Sequence, residues 1–286
     1  MSQVAALHSD YVGLALGSLK RLPPFSPVLN RLLASLANEE VSFGRMAELI
    51  EKDTVLTGHV LSMVNSAAYA RAAAIVSVRH AVSLLGVLKL RNLVLGLSIS
   101  RLWANVQTPP GWSHARFNLH SITAATLADL LVQKVPVAFP EGAFIAGLLH
   151  DFGKLLIATA LPREYGQIQQ LRRSGAAEIE CEMEVLGITH AELSQLALRA
   201  WNVPPAIQDA VRRHHDLRPI GSSLDLAAVI GCADAYLNAT GMGMSSSTPS
   251  EPETAVALLE PLEINDSLPA VLDLFTTEVE AIRSFF

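Results

Sequence analysis

The sequence is poor in charged residues and in cysteine, and each shortage argues against a class of protein. Charged residues make up 17% of the 286 residues and the formal net charge is −6, so we expect no broadly basic surface for nucleic acid or anionic lipid. The two cysteines, Cys181 and Cys232, are too few for a disulfide framework, and we expect both to be reduced. Residues 1–10 lack the basic start of a secretory signal. These features predict a cytoplasmic protein.

The sequence also lacks an uninterrupted apolar run of membrane-spanning length. Lys89 and Arg91 break the most apolar stretch, so no membrane association is predicted. Together with Arg101 they are the only basic residues near the helix predicted after Gly86, which makes nucleic-acid binding unlikely. Hydrophobic residues nevertheless make up 50% of the chain, enough for a sizeable core in one large or two small domains.

Apolar residues recur with the period of an α-helix, and the alternation typical of strands is nearly absent. Ser42, Asp53 and Ser77 are suitable N-caps, and Gly86 is a suitable end for the third of these helices. Residues 106–111 contain two prolines and a glycine, which cannot continue a helix. The fold class predicted is all-α.

The N-terminal and C-terminal helices are predicted to form a multi-helix bundle with two parts. An N-terminal helical subdomain, residues 1–105, packs on a helical core, residues 112–240. A flexible loop is expected at 241–253, because large apolar residues are scarce there, and a C-terminal helix follows at 254–286.

Within the predicted core, local signals place several helices. One is expected from about Trp112 to Gln133. Thr189 and Glu192 match a capping box, which puts His190 in the first turn of a helix. The dipole disfavours a charged imidazole at that end, so a neutral His190 is expected. Two further helices are indicated: Pro204–Pro205 begins one that ends at His214–His215, and Ser222 or Ser223 caps one that holds Asp234.

The predicted core carries side chains of the types that bind metals. Five of the nine histidines and two aspartates lie there. Burying an unpaired carboxylate costs several kcal/mol, so an aspartate in an apolar run needs a partner or a metal. Imidazole and carboxylate ligands suit iron, manganese, zinc or magnesium. The candidate ligands are His120, His150, Asp151, His190, His214, His215 and Asp234.

Each candidate also has a structural alternative. A lone histidine such as His120 is more often a hydrogen-bonded core or surface residue, and a histidine pair at a helix C-terminus could complement the helix dipole. Lys154 could be an exposed cap of the apolar run or a phosphate contact. Adjacent residues diverge on a helix, so His150 and Asp151 can share an ion only near a helix end, and Gly153 makes such an end possible.

Three elements of this set, His120, His150–Asp151 and Asp234, resemble the H…HD…D pattern of the HD superfamily of metal-dependent phosphohydrolases. With His190 and His214–His215 added, the layout is similar to the two-metal site of the HD-GYP cyclic-di-GMP phosphodiesterases. The resemblance implies metal ligation by these seven residues, a catalytic role for Asp151 and Lys154, and phosphate binding by Lys154 and Arg116.

Arg116 is also a departure from that pattern, because the HD-GYP site would have glutamate one turn before His120. A guanidinium on the helix face of His120 would repel a second cation. One divalent ion, iron, manganese, zinc or magnesium, is therefore expected rather than two. The Gly-Tyr-Pro signature is missing after His214-His215-Asp216, which disfavours cyclic-di-GMP hydrolysis.

The N-terminal part is similar to a narrower group, the HDOD domains (HD-related output domains) of bacterial signalling proteins. The similarity spans about residues 20–235. It implies an all-α bundle acting as a non-catalytic or weakly catalytic output module in signal transduction, of the kind often called a response regulator. A metal-dependent phosphohydrolase acting on a nucleotide or cyclic dinucleotide is the alternative. The expected partner is a regulatory protein or a small nucleotide, and a homo-oligomer is left open. The motifs that carry the resemblance are Asp53–Thr57, Val64–Tyr69, Ile75, Ser77–Val78, His80–Val82 and Leu84–Gly86.

Overall fold

The computed structural model describes residues 3–21, 27–34, 43–65, 74–103, 106–216, 224–244 and 249–283. All regular secondary structure in these ranges is helical, which confirms the all-α prediction. The α-helices are α1 (Gln3–Ser18), α2 (Pro27–Ala34), α3 (Phe43–Glu51), α4 (Thr54–Val64), α5 (Val78–Leu85), α6 (Val87–Trp103), α7 (His114–Leu131), α8 (Ala143–Leu149), α9 (Phe152–Ala160), α10 (Pro162–Arg173), α11 (Glu178–Leu186), α12 (His190–Ala200), α13 (Pro205–Arg213), α14 (Leu226–Ala239), α15 (Pro252–Ala257) and α16 (Leu268–Arg283).

Short-range caps set the ends of the N-terminal helices as predicted. The Asp53 carboxylate accepts a hydrogen bond from the Leu56 N–H at 2.9 Å and begins α4. Ser77 begins α5 in the same way, and Gly86, with φ of 81°, ends it. That positive φ costs glycine little, which explains why glycine serves as the helix stop. The predicted cap Ser42 lies outside the described residues.

The core helix α7 lies at the centre of the bundle and connects its two parts. Its main neighbours are α8, α14 and α16, and its buried residues run from Phe117 to Leu131. Buried apolar side chains form one cluster that extends from Ala15 in α1 to Val279 in α16. The N-terminal and C-terminal helices therefore share a hydrophobic core, which holds α7 in place along its length.

The helix that carries Asp234 begins later than predicted. Asp225, not Ser222 or Ser223, caps α14 by accepting a hydrogen bond from the Ala228 N–H at 3.0 Å. The same carboxylate receives Arg213 at 2.8 Å, so the cap is also tied to α13.

The segment expected to be a flexible loop is attached to α14 where it is described. The Met242 N–H donates to the Leu237 carbonyl at 2.9 Å, and the Ser250 N–H donates to the Ala239 carbonyl at 2.8 Å. Helix α15 already begins at Pro252, within that segment. The main C-terminal helix is α16.

One apolar segment, Pro140–Ala160, is long and hydrophobic enough to cross a membrane, yet 83% of its most hydrophobic part is buried inside the protein. Helices α5 and α6 would pass the same test together, but they are bent by 119° at Gly86. Burial of this kind is typical of a core helix and is consistent with a soluble protein. Cytoplasmic location stays a prediction. Cys181 and Cys232 are both buried and unbridged, as expected.

Candidate metal centre

The His150–Asp151 pair lies at a break between two helices, as the geometry of adjacent ligands requires. Helix α8 ends at Leu149, and α9 begins after Asp151. The Ser194 hydroxyl of α12 fixes this break, because it donates to the His150 carbonyl at 2.8 Å and accepts from the Gly153 N–H at 2.7 Å. The break turns both side chains toward the same interior region.

Four side chains form the first ligand group, which is defined here as His120, His150, Asp151 and Asp234. The Nε2 atom of His120 lies 3.3 Å from Asp151 Oδ2 and 3.1 Å from Asp234 Oδ1. The Nε2 atom of His150 lies 3.5 Å from each of the same two oxygens. The first three residues are fully buried and Asp234 is 5% exposed. The lone-histidine alternative for His120 is thus replaced by a place in a buried cluster.

The second ligand group consists of Asp151, His190, His214 and His215. It uses the other oxygen of the shared aspartate. Asp151 Oδ1 lies 3.1 Å from His190 Nε2 and 3.9 Å from His214 Nε2. His215 Nε2 lies 3.0 Å from His190 Nε2, and His215 is the one exposed member. The structure therefore brings all seven predicted ligands together around the two oxygens of Asp151.

The four buried imidazoles are all held from behind through Nδ1. A proton on Nδ1 leaves the Nε2 lone pair free to face the carboxylates, and such backing by an oxygen is the usual second layer of a metal site. The Nδ1 acceptors are the carbonyl oxygens of Met242, Gly147 and Val211 for His120, His150 and His214, at 3.1, 2.7 and 2.7 Å, and the Glu182 carboxylate for His190, at 2.8 Å.

The Nε2 atoms of His120, His150 and His214 are buried, and within the described chain none makes a hydrogen bond of acceptable geometry. A lone pair 3.1–3.5 Å from a carboxylate oxygen is repulsive unless a cation lies between them. That cation can be a proton or a metal ion. The residues present therefore fit a divalent metal, which would bind by displacing protons.

The electrostatics of the centre show how strongly it attracts cations. Burial disfavours a charged imidazole, yet Asp151 and Asp234 outweigh burial and raise the pKa of His120 to about 9. Burial also opposes ionised carboxylates, but the neighbouring histidines, with Lys154 beside Asp151, hold the pKa of both aspartates well below the usual range.

The two histidines of the second group differ from their sequence-based expectations. Burial acts first, but Glu182 and Asp151 raise the pKa of His190 to about 9, so the neutral state expected from the helix dipole is wrong for the imidazole without a metal. Burial and the nearby His215 and His150 hold the pKa of His214 well below its usual range. A neutral buried His214 cannot complement the dipole of α13 by charge.

Lys154 is buried rather than exposed, so its interpretation as an exposed cap is wrong. Its Nζ lies 2.8 Å from Asp151 Oδ2 and 3.0 Å from Glu178 Oε2. Burial alone would lower its pKa, but these carboxylates raise it above the usual value. Arg172 contacts the same Glu178 at 2.9 Å. The cation therefore lies against the shared aspartate, where an ammonium can bind phosphate only after leaving a carboxylate.

Arg116 is exposed and does not enter either ligand group. It lines a cleft of about 280 Å³, together with Lys154, Arg172 and Tyr165. Water screens an exposed charge strongly, so the repulsion expected between Arg116 and a second ion is weakened. Its predicted role as a phosphate contact stays a prediction.

Sequence reasoning missed the residues behind the ligands. Glu182 is 2% exposed and accepts hydrogen bonds from both the backbone N–H and Nδ1 of His190. Asn238 donates to Asp234 Oδ1 at 2.7 Å. A carboxylate in the helix before His190 was a visible signal, but α11 contains four glutamates, and spacing alone does not distinguish Glu182 from the other three.

Comparisons with known proteins agree with this geometry. The family model for the HDOD domain matches residues 22–217. An uncharacterized protein of Treponema pallidum (strain Nichols) is 24% identical over 199 residues, which cover 68% of this chain and 38% of that protein. The chain therefore spans well under half the length of this relative.

Two solved structures are similar in fold. An HDOD domain protein of unknown function from Geobacter sulfurreducens has a TM-score of 0.76 at 22% identity, covering 97% of this chain and 98% of the other. A protein from Shewanella amazonensis, named as a candidate phosphohydrolase, has a TM-score of 0.74 at 22% identity, covering 95% and 97%. At these identities the likeness shows the fold alone.

Proposed function

The chain belongs to the HDOD domain family, and we propose that it acts there as a metal-loaded signalling module rather than as an efficient phosphohydrolase. One observation carries this proposal, the closure of the first ligand group. His120, His150 and Asp151 are fully buried, and Asp234 is 5% exposed. Structural metal sites are closed in this way, whereas catalytic ones keep an open position for water or substrate.

The side facing the cleft is also closed by charge pairing. Lys154 spans from Asp151 to Glu178, and Arg172 holds the other oxygen of Glu178. A phosphate entering the cleft meets a carboxylate that already neutralises both cations. It would have to displace Glu178 before it reached the shared aspartate, which disfavours turnover.

A bound ion suits a regulatory role because its ligands come from different helices. His120 lies in α7, Asp234 lies in α14, and the His150–Asp151 pair joins α8 to α9. An ion would hold these elements in one arrangement, and its binding free energy would add to the stability of that arrangement. A regulatory protein or a small nucleotide in the cytoplasm would respond to this metal-loaded state.

The second candidate is a metal-dependent phosphohydrolase acting on a nucleotide or cyclic dinucleotide. Its specific support is the placement of Asp151, each of whose oxygens faces one ligand group. A carboxylate so placed can bridge two ions, and two bound ions activate water and hold a phosphoryl oxygen. Asp151 would position the ions, and Lys154 would steady the phosphate. The candidate phosphohydrolase from Shewanella amazonensis shares the fold.

Metal analysis and a turnover panel separate these functions. The protein is stripped with chelator and reloaded separately with Fe²⁺, Mn²⁺, Zn²⁺ or Mg²⁺, beside the variants Asp234→Asn and Asp273→Asn. Asp273 is an exposed aspartate in α16 and serves as the matched control. We expect bound metal and a raised melting temperature in the wild type and in Asp273→Asn, and loss of both in Asp234→Asn.

Turnover is measured on nucleotides and cyclic dinucleotides with Mn²⁺ present. We expect the metal-loaded wild type to show no more hydrolysis than Asp151→Asn. Hydrolysis that disappears in Asp151→Asn would replace the regulatory proposal with the enzymatic one. Failure of every metal to bind would contradict both.

A further inference from the structure

A second, larger cavity lies between the start of α6, the second half of α7 and α16. Its volume is about 790 Å³, and none of the described residues that line it belongs to either ligand group. Small-molecule sites commonly have volumes of roughly 300–1,000 Å³ with mostly apolar walls and a few polar groups. The apolar lining here includes Leu93, Ile122, Leu130, Phe144 and Leu274.

One wall carries a buried guanidinium that the fold does not satisfy. Arg91 is 6% exposed, and its Nε makes no hydrogen bond within the described residues. Its Nη2 contacts are long, at 3.5 Å to Asn92 Oδ1 and 3.4 Å to the Glu141 carbonyl. Among the described residues, no carboxylate lies within ion-pair distance of it. Asn92 in turn donates to Asp129 at 3.0 Å, so Arg91, Asn92 and Asp129 form a polar strip.

Such an arginine is costly to the folded protein. A buried guanidinium normally has a carboxylate or a full set of acceptors, because an unpaired buried charge is strongly destabilising. Burial lowers the pKa of the Arg91 guanidinium from its usual value, and the more distant Asp129 and Glu141 only oppose that effect. Packing therefore does not account for Arg91, whereas a ligand that supplies an acceptor does.

The charges around the cavity indicate the head group of that ligand. Lys89 is paired with Glu278. The lining contains two cations, Lys89 and Arg91, against three carboxylates, Asp129, Glu141 and Glu278, so a net negative charge disfavours an anionic ligand. An uncharged head with a carbonyl for Arg91 and an N–H for Asp129 matches both ends of the polar strip.

The geometry points to a binding site for an uncharged amphipathic molecule, with an amide-type head on the Arg91–Asn92–Asp129 strip and an apolar body along the α6, α7 and α16 walls. Leu88 and Leu274 at the rim are 58% and 46% exposed, which leaves an apolar path for a body longer than the cavity. This inference goes beyond the proposed function, because it requires no metal.

Three probes of equal chain length test the head group: octanamide, octanoate and octylammonium, titrated by calorimetry into the full chain with and without metal. We expect saturable one-to-one binding of octanamide, at least ten-fold tighter than the two charged probes and independent of metal. Preference for either charged probe, or binding of none, would overturn the assignment. The second outcome includes the case in which another part of the chain fills the cavity.

Three variants locate the site. Arg91→Met keeps the length of the side chain and removes the donor, so octanamide affinity should fall at least ten-fold while the melting temperature stays or rises. Gln133→Trp, at an exposed rim position, should block octanamide without unfolding the core. Arg79→Met, exposed on α5 and outside the cavity lining, should bind as the wild type does.

Unchanged octanamide affinity in both Arg91→Met and Gln133→Trp would place the probe elsewhere and refute the site. An unfolded Arg91→Met protein would show that the guanidinium is structural, and would remove the argument for a ligand.

Discussion

Gly153 is the point where the start of α9 touches the start of α12, and replacing it tests how the two ligand groups are held together. A Cβ added at Gly153 would lie 2.7 Å from the carbonyl carbon of His190 and 2.9 Å from its Cα, with the carbonyl oxygen closer still. These are backbone atoms, which cannot rotate away as a flexible side chain would. Gly153→Ala must therefore push the two helices apart.

The magnitude follows from two opposing effects. Forcing an extra methyl into a packed interior costs roughly 1–3 kcal/mol, and more when backbone must move. Alanine in place of a helical glycine returns about 0.5–1 kcal/mol. We expect a net loss of about 2 kcal/mol in the free energy of unfolding. The separation would also lengthen the 3.1 Å contact between Asp151 Oδ1 and His190 Nε2, so metal affinity should fall about 10- to 100-fold, as with other changes behind metal ligands.

The assay pairs urea unfolding with competition for metal against a chelator. The matched control is Gly166→Ala in α10, where an added Cβ meets no atom within 4 Å, so that variant should gain about 0.5–1 kcal/mol and keep its metal. If Gly153→Ala unfolded at the same urea concentration as Gly166→Ala and bound metal normally, the close approach of α9 and α12 would not be what positions Asp151 and His190.

Three further predictions concern the surroundings of the two sites. Glu182→Gln, which removes the charge behind His190, should lower metal affinity about 10- to 100-fold in the chelator assay, and an unchanged affinity would contradict its role. Burial, and then Glu278, raise the pKa of Asp129 from 3.8 to about 6. The folded protein then holds this proton more tightly than the unfolded chain, so the free energy of unfolding should fall by up to about 2 kcal/mol as pH rises from about 4 to about 6. Asp129→Asn should flatten that slope in urea unfolding, and an identical slope would refute the shift. Ser194→Ala should cost about 1–3 kcal/mol, because it leaves buried backbone groups unsatisfied, whereas the exposed Ser83→Ala should change stability by less than about 0.5 kcal/mol.

Helix boundaries were predictable wherever the deciding contact is local. Asp53, Ser77 and Thr189 each bond a backbone group three residues away, so their types and spacing sufficed. Asp225 was missed because Ser222 and Ser223 are equally good N-caps by type. Its contact with Arg213, from the preceding helix, is a tertiary one that spacing does not reveal.

The ligand set was predictable by residue type, but its surroundings were not. The location of Lys154 depends on Glu178, which lies 24 residues further along the chain and reaches it from α11. The backing of His120 comes from the Met242 carbonyl, a backbone atom that every residue possesses and that no pattern of side chains can mark. Tertiary packing of separate helices supplies both.

The charges in the two ligand groups bear on how many ions the centre can hold. The first group offers two carboxylates, Asp151 and Asp234, whose two negative charges balance one dication. The second group contributes no carboxylate of its own besides the shared Asp151, and its added negative charge comes only from Glu182 behind His190. Lys154 already places a positive charge 2.8 Å from Asp151 Oδ2. In a buried site an uncompensated charge is expensive, so a second dication would bind more weakly than the first. Charge balance within the bundle, rather than the exposed Arg116, is therefore the physical reason to expect one tightly held ion in the first group.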